Sequence, residues 1–501
     1  MIVPASLFTD GVILPRRKEI RIFGEASPGA EVWVRLHDSA GYLLAEGFGR
    51  EKDGRFVACL APQEARTGCM LTVESEGDSR TIRDVAVGEV YLAGGQSNME
   101  LPLSGADEGP SLIRSHRDPL LRFFNVPRMP RCDQEQKQAI RECRWQAIEP
   151  EKGGENSAVA YFFARRLRET EPELPVGIIG CYWGGTSITC WLEEETLRTL
   201  AEGVRYLDQY AARCGRKTMR TYLKEEKLFN DTMEDWNGKV NRYRQEHPEA
   251  PWKEIQEVCG ICPWNPPVGP GSPYRPGGLA ESMLACVVPA TLTGILYYQG
   301  EEDADKTDRY DELMILLIRR WRELFRDPAL PFLFVQLPMW LDDGAQDTFL
   351  WPRLRLAQAA ARDAVRNTGM ICLLDQGEYG NIHPTAKRPV GERLYELMAE
   401  MLRGGGAVSP RALGREIAGN TVTVKLSAPV RTRDGHAPRL LEIAGEDGIF
   451  VPAEGVPADG GLRIWNHGIA HPVSVRYAWT DYSDRVNLFG GNGLPLEPFL
   501  L

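Results

Sequence analysis

The sequence predicts an α/β protein built on a parallel sheet and flanked at both ends by β-rich, sandwich-like segments. Two patterns carry this expectation. In the middle of the chain short apolar runs alternate with helical stretches, whereas at both ends the apolar residues recur with a period of two between Gly, Pro and Asp turns. Length agrees, since 501 residues exceed what one hydrophobic core serves, so two to four domains are expected.

In chain order, residues 1–85 read as an N-terminal β-rich domain, with alternating segments such as Glu31-Val-Trp-Val-Arg-Leu36 and Met70-Leu-Thr-Val-Glu74. Residues 86–404 read as the α/β domain. Strands are expected at 89–93, 176–179, 292–298, 332–336 and 370–374, and helices at 158–167 and 312–324, an alternation that implies a sheet covered on both faces. A charged helical stretch at about 193–258 interrupts it. Charge runs on helices are usually solvated faces, so a solvated hairpin is favoured there over a cap on a site. After Gly404-Gly405-Gly406 the period-two pattern returns near 421–426, 462–465 and 473–479, and residues 405–501 form a C-terminal β-rich domain.

Composition excludes several functions. With 43% hydrophobic residues, 26% charged residues and a formal charge of −11, the chain has no basic footprint for nucleic acid. No apolar run is long enough to span a bilayer, and the first twenty residues lack a secretory pattern, so no membrane partner and a cytoplasmic location are expected. Eleven scattered cysteines do not form a disulfide framework. Cys259-Gly-Ile-Cys262 has ligand-like spacing but no second pair to complete a tetrahedral site, so neither metal nor cofactor is expected.

The chemistry concentrates at predicted strand ends. Val90-Tyr-Leu-Ala-Gly-Gly-Gln-Ser-Asn-Met99 is an apolar strand running into two glycines and Ser97, which projects a hydroxyl near backbone N–H groups able to hold an oxyanion. A serine nucleophile needs a base, and seven histidines are available. His37, His436, His467 and His471 fall in the flanking β segments, His116 in a charged loop and His247 after a charged helix. His383 remains, in a polar loop beyond a strand's carboxyl end, where open parallel sheets assemble their sites; capping of the following helix is the alternative use. At the same edge lie Gly184 and Gly185, and Gln299 and Glu301. If the backbone stays extended, Gln299 and Glu301 point the same way, Gln299 donating to an oxyanion while Glu301 reaches the imidazole.

Gly95-Gln-Ser-Asn-Met99, Trp183-Gly-Gly-Thr186, Arg275-Pro-Gly-Gly-Leu279, Tyr298-Gln-Gly-Glu301, Ile382-His-Pro384 with Val390-Gly-Glu-Arg-Leu394, and the terminal Asn487-Leu-Phe and Gly493-Leu-Pro together resemble the sialate O-acetylesterase family of the SGNH hydrolase superfamily. The resemblance runs nearly end to end. It implies a flavodoxin-like SGNH hydrolase domain and the removal of acetyl groups from sugar hydroxyls, so the partner expected is an acetylated sugar. By position it makes Ser97 the nucleophile and His383 the general base, with the Ser97 N–H, an N–H of Gly184 or Gly185 and the Gln299 side chain as oxyanion donors.

The chain departs from the family pattern where the acid should be: Asn381 and Gly380 stand where relatives carry an aspartate. Glu301 is the first-ranked substitute, Asp375 or Glu378 the next, and a Ser-His dyad the remaining option; Asn381 itself can orient the imidazole but cannot supply charge. Sugar contacts are expected from Gln96, Trp183, Tyr274 and Arg275, although Arg275 suits a salt bridge equally well. O-acetylated sialic acid is the leading substrate, acetylated xylan or another glycan the alternative, and a catalytically impaired carbohydrate-binding protein the alternative of another class. Oligomeric state is not legible.

Overall fold

The computed structural model describes residues 1–247, 250–402 and 409–501. The expected boundary at 404–405 therefore lies outside the described residues. The central sheet contains the five strands expected from the alternation of apolar runs and helices and adds two, Asp118–Asn125 and Gln146–Ile148, on one side, which makes it a mixed sheet. Its main path is β3-β2-β4-β1-β5-β6-β7, where β1 is Asp78–Gly95, β2 Asp118–Asn125, β3 Gln146–Ile148, β4 Val176–Tyr182, β5 Gly294–Tyr298, β6 Phe332–Val335 and β7 Thr368–Ile371. All neighbours pair in parallel except β3, which pairs antiparallel with β2 at the edge.

Helices cover both faces, as near-continuous apolar strands require. Tyr91 on β1 packs edge-on against Phe163 of α2 (Ala158–Thr170). Gly94, three residues on and so on the opposite face, lies under Trp321 of α3 (Tyr310–Leu324). α2 packs with α5 (Arg388–Leu402), and α3 with α4 (Leu350–Ala364).

β1 is the spine of the molecule. Its first half pairs antiparallel with the N-terminal strand Arg66–Ser75, and its second half pairs with β4 and β5. One unbroken strand thus carries the N-terminal β region into the main sheet, across the position where the turn pattern places a boundary. The C-terminal strands form a second apolar core that includes Met339, Cys372 and Leu374 of the α/β region. Two buried polar side chains tie it down. Asp481 accepts from the Trp351 N–H at 3.0 Å and the Thr348 N–H at 2.6 Å at the start of α4, and the Arg355 guanidinium donates to the carbonyl of Thr480 at 2.5 Å. A carboxylate there satisfies helix donors that would otherwise be orphaned.

β1 ends at Gly95, whose φ of 133° suits glycine, and a Cβ there would lie 2.0 Å from the Tyr298 carbonyl oxygen. This close approach lets β5 run tightly beside the turn that follows. Gly95→Ala should therefore destabilise the fold by about 2 kcal/mol or more, read as a lowered melting temperature; an unchanged melting temperature would contradict this account of the turn.

Candidate active site

The turn after Gly95 is pinned by the Gln96 N–H, which donates to the Tyr298 carbonyl at 2.9 Å. Ser97 then opens the single-turn helix α1 (Ser97–Glu100). From the loop between β7 and α5, His383 places its Nε2 2.8 Å from Ser97 Oγ. These two residues are 286 positions apart in the chain, and the structure brings them to one point at the carboxyl ends of β1 and β7. At that distance the imidazole can take the serine proton directly.

The four expected oxyanion donors separate. No acceptor for the Ser97 or Gly185 N–H is found among the described residues, so both are free for a ligand. Gly184 packs on Ser97, a Cβ at 184 falling 3.2 Å from Ser97 Cβ, but its N–H donates to the Glu100 carboxylate, which also pairs with Arg128. Gln299 is also engaged. Its Nε2 donates to Asp303 Oδ2 at 2.7 Å, with Gln96 Oε1 and the Thr186 carbonyl each at 3.2 Å, and its Oε1 accepts from Tyr310. The expected Gln299 donor is thus corrected to a buried structural amide. The reason is local: the strand stops at Tyr298 and the chain turns at Gly300 (φ 152°), so Gln299 and Glu301 do not share an extended backbone.

The same turn corrects the first-ranked acid. Glu301 Oε1 accepts from Asn98 Nδ2 at 2.6 Å, and its Oε2 is buried without a partner; neither oxygen bonds His383. Asp375 is held in a bidentate pair by Arg393 at 2.8 and 2.7 Å. Glu378 accepts from Asn381 Nδ2 at 2.7 Å and the Thr385 N–H at 3.0 Å, which staples the loop. Asn381 Oδ1 accepts the His383 backbone N–H at 3.0 Å, so it holds the main chain and leaves the ring alone. Among the described residues no carboxylate reaches the His383 imidazole.

Two residues not singled out from the sequence occupy the space behind the pair. Asn98, fully buried, donates to Glu301 and also to the Ile382 carbonyl at 2.9 Å, and its Oδ1 accepts from Lys387 Nζ at 2.5 Å. Lys387 is 1% exposed. Burial, with the Lys387 cation adding to it, pushes the His383 imidazole down to about 4. Burial pushes Lys387 down to about 7 against the opposing pull of Glu301, Glu378 and Asp107, and burial raises Glu301 above the usual carboxylate range. Asn98 sits inside the Gly95–Met99 motif and Lys387 between two others, but nothing in the sequence marks a lysine or an asparagine as buried.

The expected sugar contacts also divide. Gln96 is 3% exposed and its Oε1 accepts from Gln299 and from the N–H groups of Gly300 and Glu302, so this side-chain oxygen belongs to the fold. Arg275 makes the salt bridge to Glu281 at 2.8 Å. Trp183 and Tyr274 are half-buried near the serine turn, and the Trp183 N–H donates to the Gly95 carbonyl. The residue missed is Trp264. A Cβ on Gly185 would lie 2.4 Å from Trp264 Cζ2, so the indole lies directly on that glycine while remaining 46% exposed. Edge contacts to Tyr274 (5.8 Å) and to Phe229 (6.0 Å) support it. Phe229 belongs to Met219–Glu246, a single long helix of the charged stretch read as a solvated hairpin; one of its side chains therefore buttresses the site wall.

Residues 275–400 match the family model described as carbohydrate esterase, sialic acid-specific acetylesterase. The chain is 25% identical to the mouse sialate O-acetylesterase over 406 residues, 75% of this chain and 68% of that protein, and 24% identical to the human one over 75% and 66%. It spans about two thirds of the length of these relatives. The solved structure of a carbohydrate acetylesterase from Xanthomonas citri superposes over 100% of this chain and 99% of its own with a TM-score of 0.77 at 27% identity. The resemblance carried by the sequence motifs is met by these similarities: residues 275–400 match the model described as carbohydrate esterase, sialic acid-specific acetylesterase, and the protein is a carboxylic ester hydrolase.

Proposed function

We propose that the protein removes O-acetyl groups from carbohydrate by a Ser97–His383 dyad on an SGNH-type, flavodoxin-like hydrolase unit spanning residues 86–404, with the β-rich units 1–85 and 405–501 at its flanks. The observation that carries this reading is the 2.8 Å contact between Ser97 Oγ and His383 Nε2 at the carboxyl end of a parallel sheet. His383 takes the Ser97 proton as Oγ attacks the acetyl carbonyl. The tetrahedral oxyanion rests on the Ser97 and Gly185 N–H groups, each such donor being worth about 3 kcal/mol at the transition state. Collapse expels the sugar oxygen, which receives the proton from His383. Water then attacks the acetyl-serine with His383 again as base, and acetate leaves. With no carboxylate to stabilise it, the imidazolium is a strong acid, which favours protonation of the poorly leaving sugar alkoxide at the expense of basicity.

The substrate we infer is O-acetylated sialic acid, with acetylated xylan or another glycan as the alternative; both contain a pyranose, which bears the acetyl group directly in acetylated xylan and through the glycerol side chain in the 9-O-acetylated sialate. With the carbonyl on Gly185 N–H, that ring meets the open face of Trp264, where aromatic stacking suits sugar C–H groups.

Acetate release from 9-O-acetylated N-acetylneuraminic acid, acetylated xylo-oligosaccharide and 4-nitrophenyl acetate tests the reading. Turnover of one acetylated sugar should vanish in Ser97→Ala; no release from either sugar by the wild type would favour the binding-protein alternative. Trp264→Ala should raise KM for the acetylated sugar about tenfold and leave 4-nitrophenyl acetate unaffected, whereas equal effects on both would exclude a sugar platform. The base must be neutral to act, and burial has lowered its folded value from 6.5 to about 4. The acid limb of kcat/KM should accordingly fall near pH 4. Stability supplied by the neutral ring is present above the unfolded value and is lost as pH falls from about 6.5 toward 4. An acid limb near 6.5 in a protein still folded at that pH would contradict the environment described for His383.

A further inference from the structure

A buried lysine whose one hydrogen-bond acceptor among the described residues is an amide oxygen needs an explanation, because a buried charge is costly and hydrophobic residues would fill the same space more cheaply. Lys387 Nζ has Asn98 Oδ1 as that acceptor at 2.5 Å and the Tyr298 ring 5.6 Å away. The charged and titratable groups around it are Glu301 from the end of β5, Glu378 and His383 from its own loop, and Asp107 from the segment after α1. Glu301 lies on the far side of the same asparagine amide. The amide is thus clamped between a cation site and a carboxylate site, and its orientation is the one that lets Oδ1 face the donor and Nδ2 face the acceptor. Asn98 is the residue after the nucleophile, and its Nδ2 also holds the carbonyl of Ile382, the residue before the base. One side chain therefore fixes the spacing of the serine turn and the histidine loop.

We propose that Lys387, acting through Asn98, is the positioning residue that keeps Ser97 and His383 in register, in a site where no carboxylate orients the imidazole. Lys387 touches neither substrate nor reacting atoms on this account, and the proposal rests on the Ser97–His383 reading of the preceding subsection. The lysine sets which way the Asn98 amide faces; the amide sets where the Ile382 carbonyl and hence the His383 ring lie. The cation also opposes charging of His383 and so keeps the base neutral and the imidazolium acidic.

The test uses the full chain and 4-nitrophenyl acetate, with Ser97→Ala as the blank. Lys387→Met should lower kcat about a hundredfold with KM nearly unchanged, the loss expected for a misplacement on the order of an ångström. Lys387→Gln keeps an N–H donor for Asn98 without the charge; it should recover at least about tenfold over the methionine variant. Both variants should show the acid limb moved part of the way up toward the ordinary histidine range, burial being the larger cause of its depression; the recovery of kcat in the glutamine variant, which lacks the charge as well, is the result that loss of core packing alone would not produce. Lys387→Met and Asn98→Ala combined should lose no more than the worse single variant, because the two act as a unit. Wild-type kcat and acid limb in either lysine variant would overturn the proposal, as would losses that multiply in the double variant. The glutamine variant keeps the test decisive if the methionine variant does not fold. Absence of Ser97-dependent turnover in the wild type would instead bring down the functional reading, and the proposal with it.

Discussion

The Asn98 side chain is fully buried, and a buried primary amide must satisfy two donors and an acceptor without water. It does so with three different segments: Glu301 beyond β5, the Ile382 carbonyl in the loop after β7, and Lys387 at the start of α5. Because Asn98 adjoins Ser97 on the turn after β1, this one amide ties the Ser97 turn to the His383 loop. The larger architecture serves the same end. β1 is paired on both sides up to Gly95, the absence of a side chain at Gly95 lets β5 close in, and the C-terminal core seats the β6 and β7 ends through Met339, Cys372 and Leu374. Rigid strands deliver the segments, and a buried amide sets the final distance.

Electrostatics at this site depart from the usual serine-hydrolase arrangement. In a triad a carboxylate holds the imidazole tautomer and stabilises the imidazolium. Here the carboxylates near His383 are committed elsewhere: Glu301 to Asn98, Glu378 to Asn381 and Thr385, and Asp375 to Arg393. The charge that acts on the imidazole is that of Lys387. Burial and that lysine both favour a neutral ring, which suits a reaction whose difficult proton transfer is to a departing sugar oxygen. The opposite wall is apolar, with Trp264 on Gly185 supported from the helical insertion by Phe229, so on the proposed reading an acetylated sugar would meet fixed backbone donors on one side and an aromatic face on the other.

Much of this was legible in the sequence, for identifiable reasons. Apolar runs such as 176–179 mark a strand buried on both faces, observed as Val176–Tyr182, and the 3.6-residue period marked the helix Tyr310–Leu324. That Ser97 and His383 meet was legible because the serine stands at a strand-ending glycine turn and few histidines were placed to reach it. Gln299 and Glu301 misled because their shared orientation assumed an extended backbone, and the positive φ at Gly300 is a property of the packed turn. Asn98 and Lys387 escaped notice because polar side chains default to the surface; their burial goes with a contact between residues 289 positions apart. The role of Trp264 was hidden for the same reason, since its contact with Gly185 depends on how the insertion packs.

The central claim is that Ser97 is activated by His383 without a carboxylate on the imidazole, and peptide mapping after fluorophosphonate treatment tests it most directly. The account predicts one adduct, on Ser97, formed at a rate that collapses in His383→Ala and persists in Asp375→Asn. An adduct on another residue, or Ser97 labelling that is indifferent to His383 or abolished with Asp375, would contradict it.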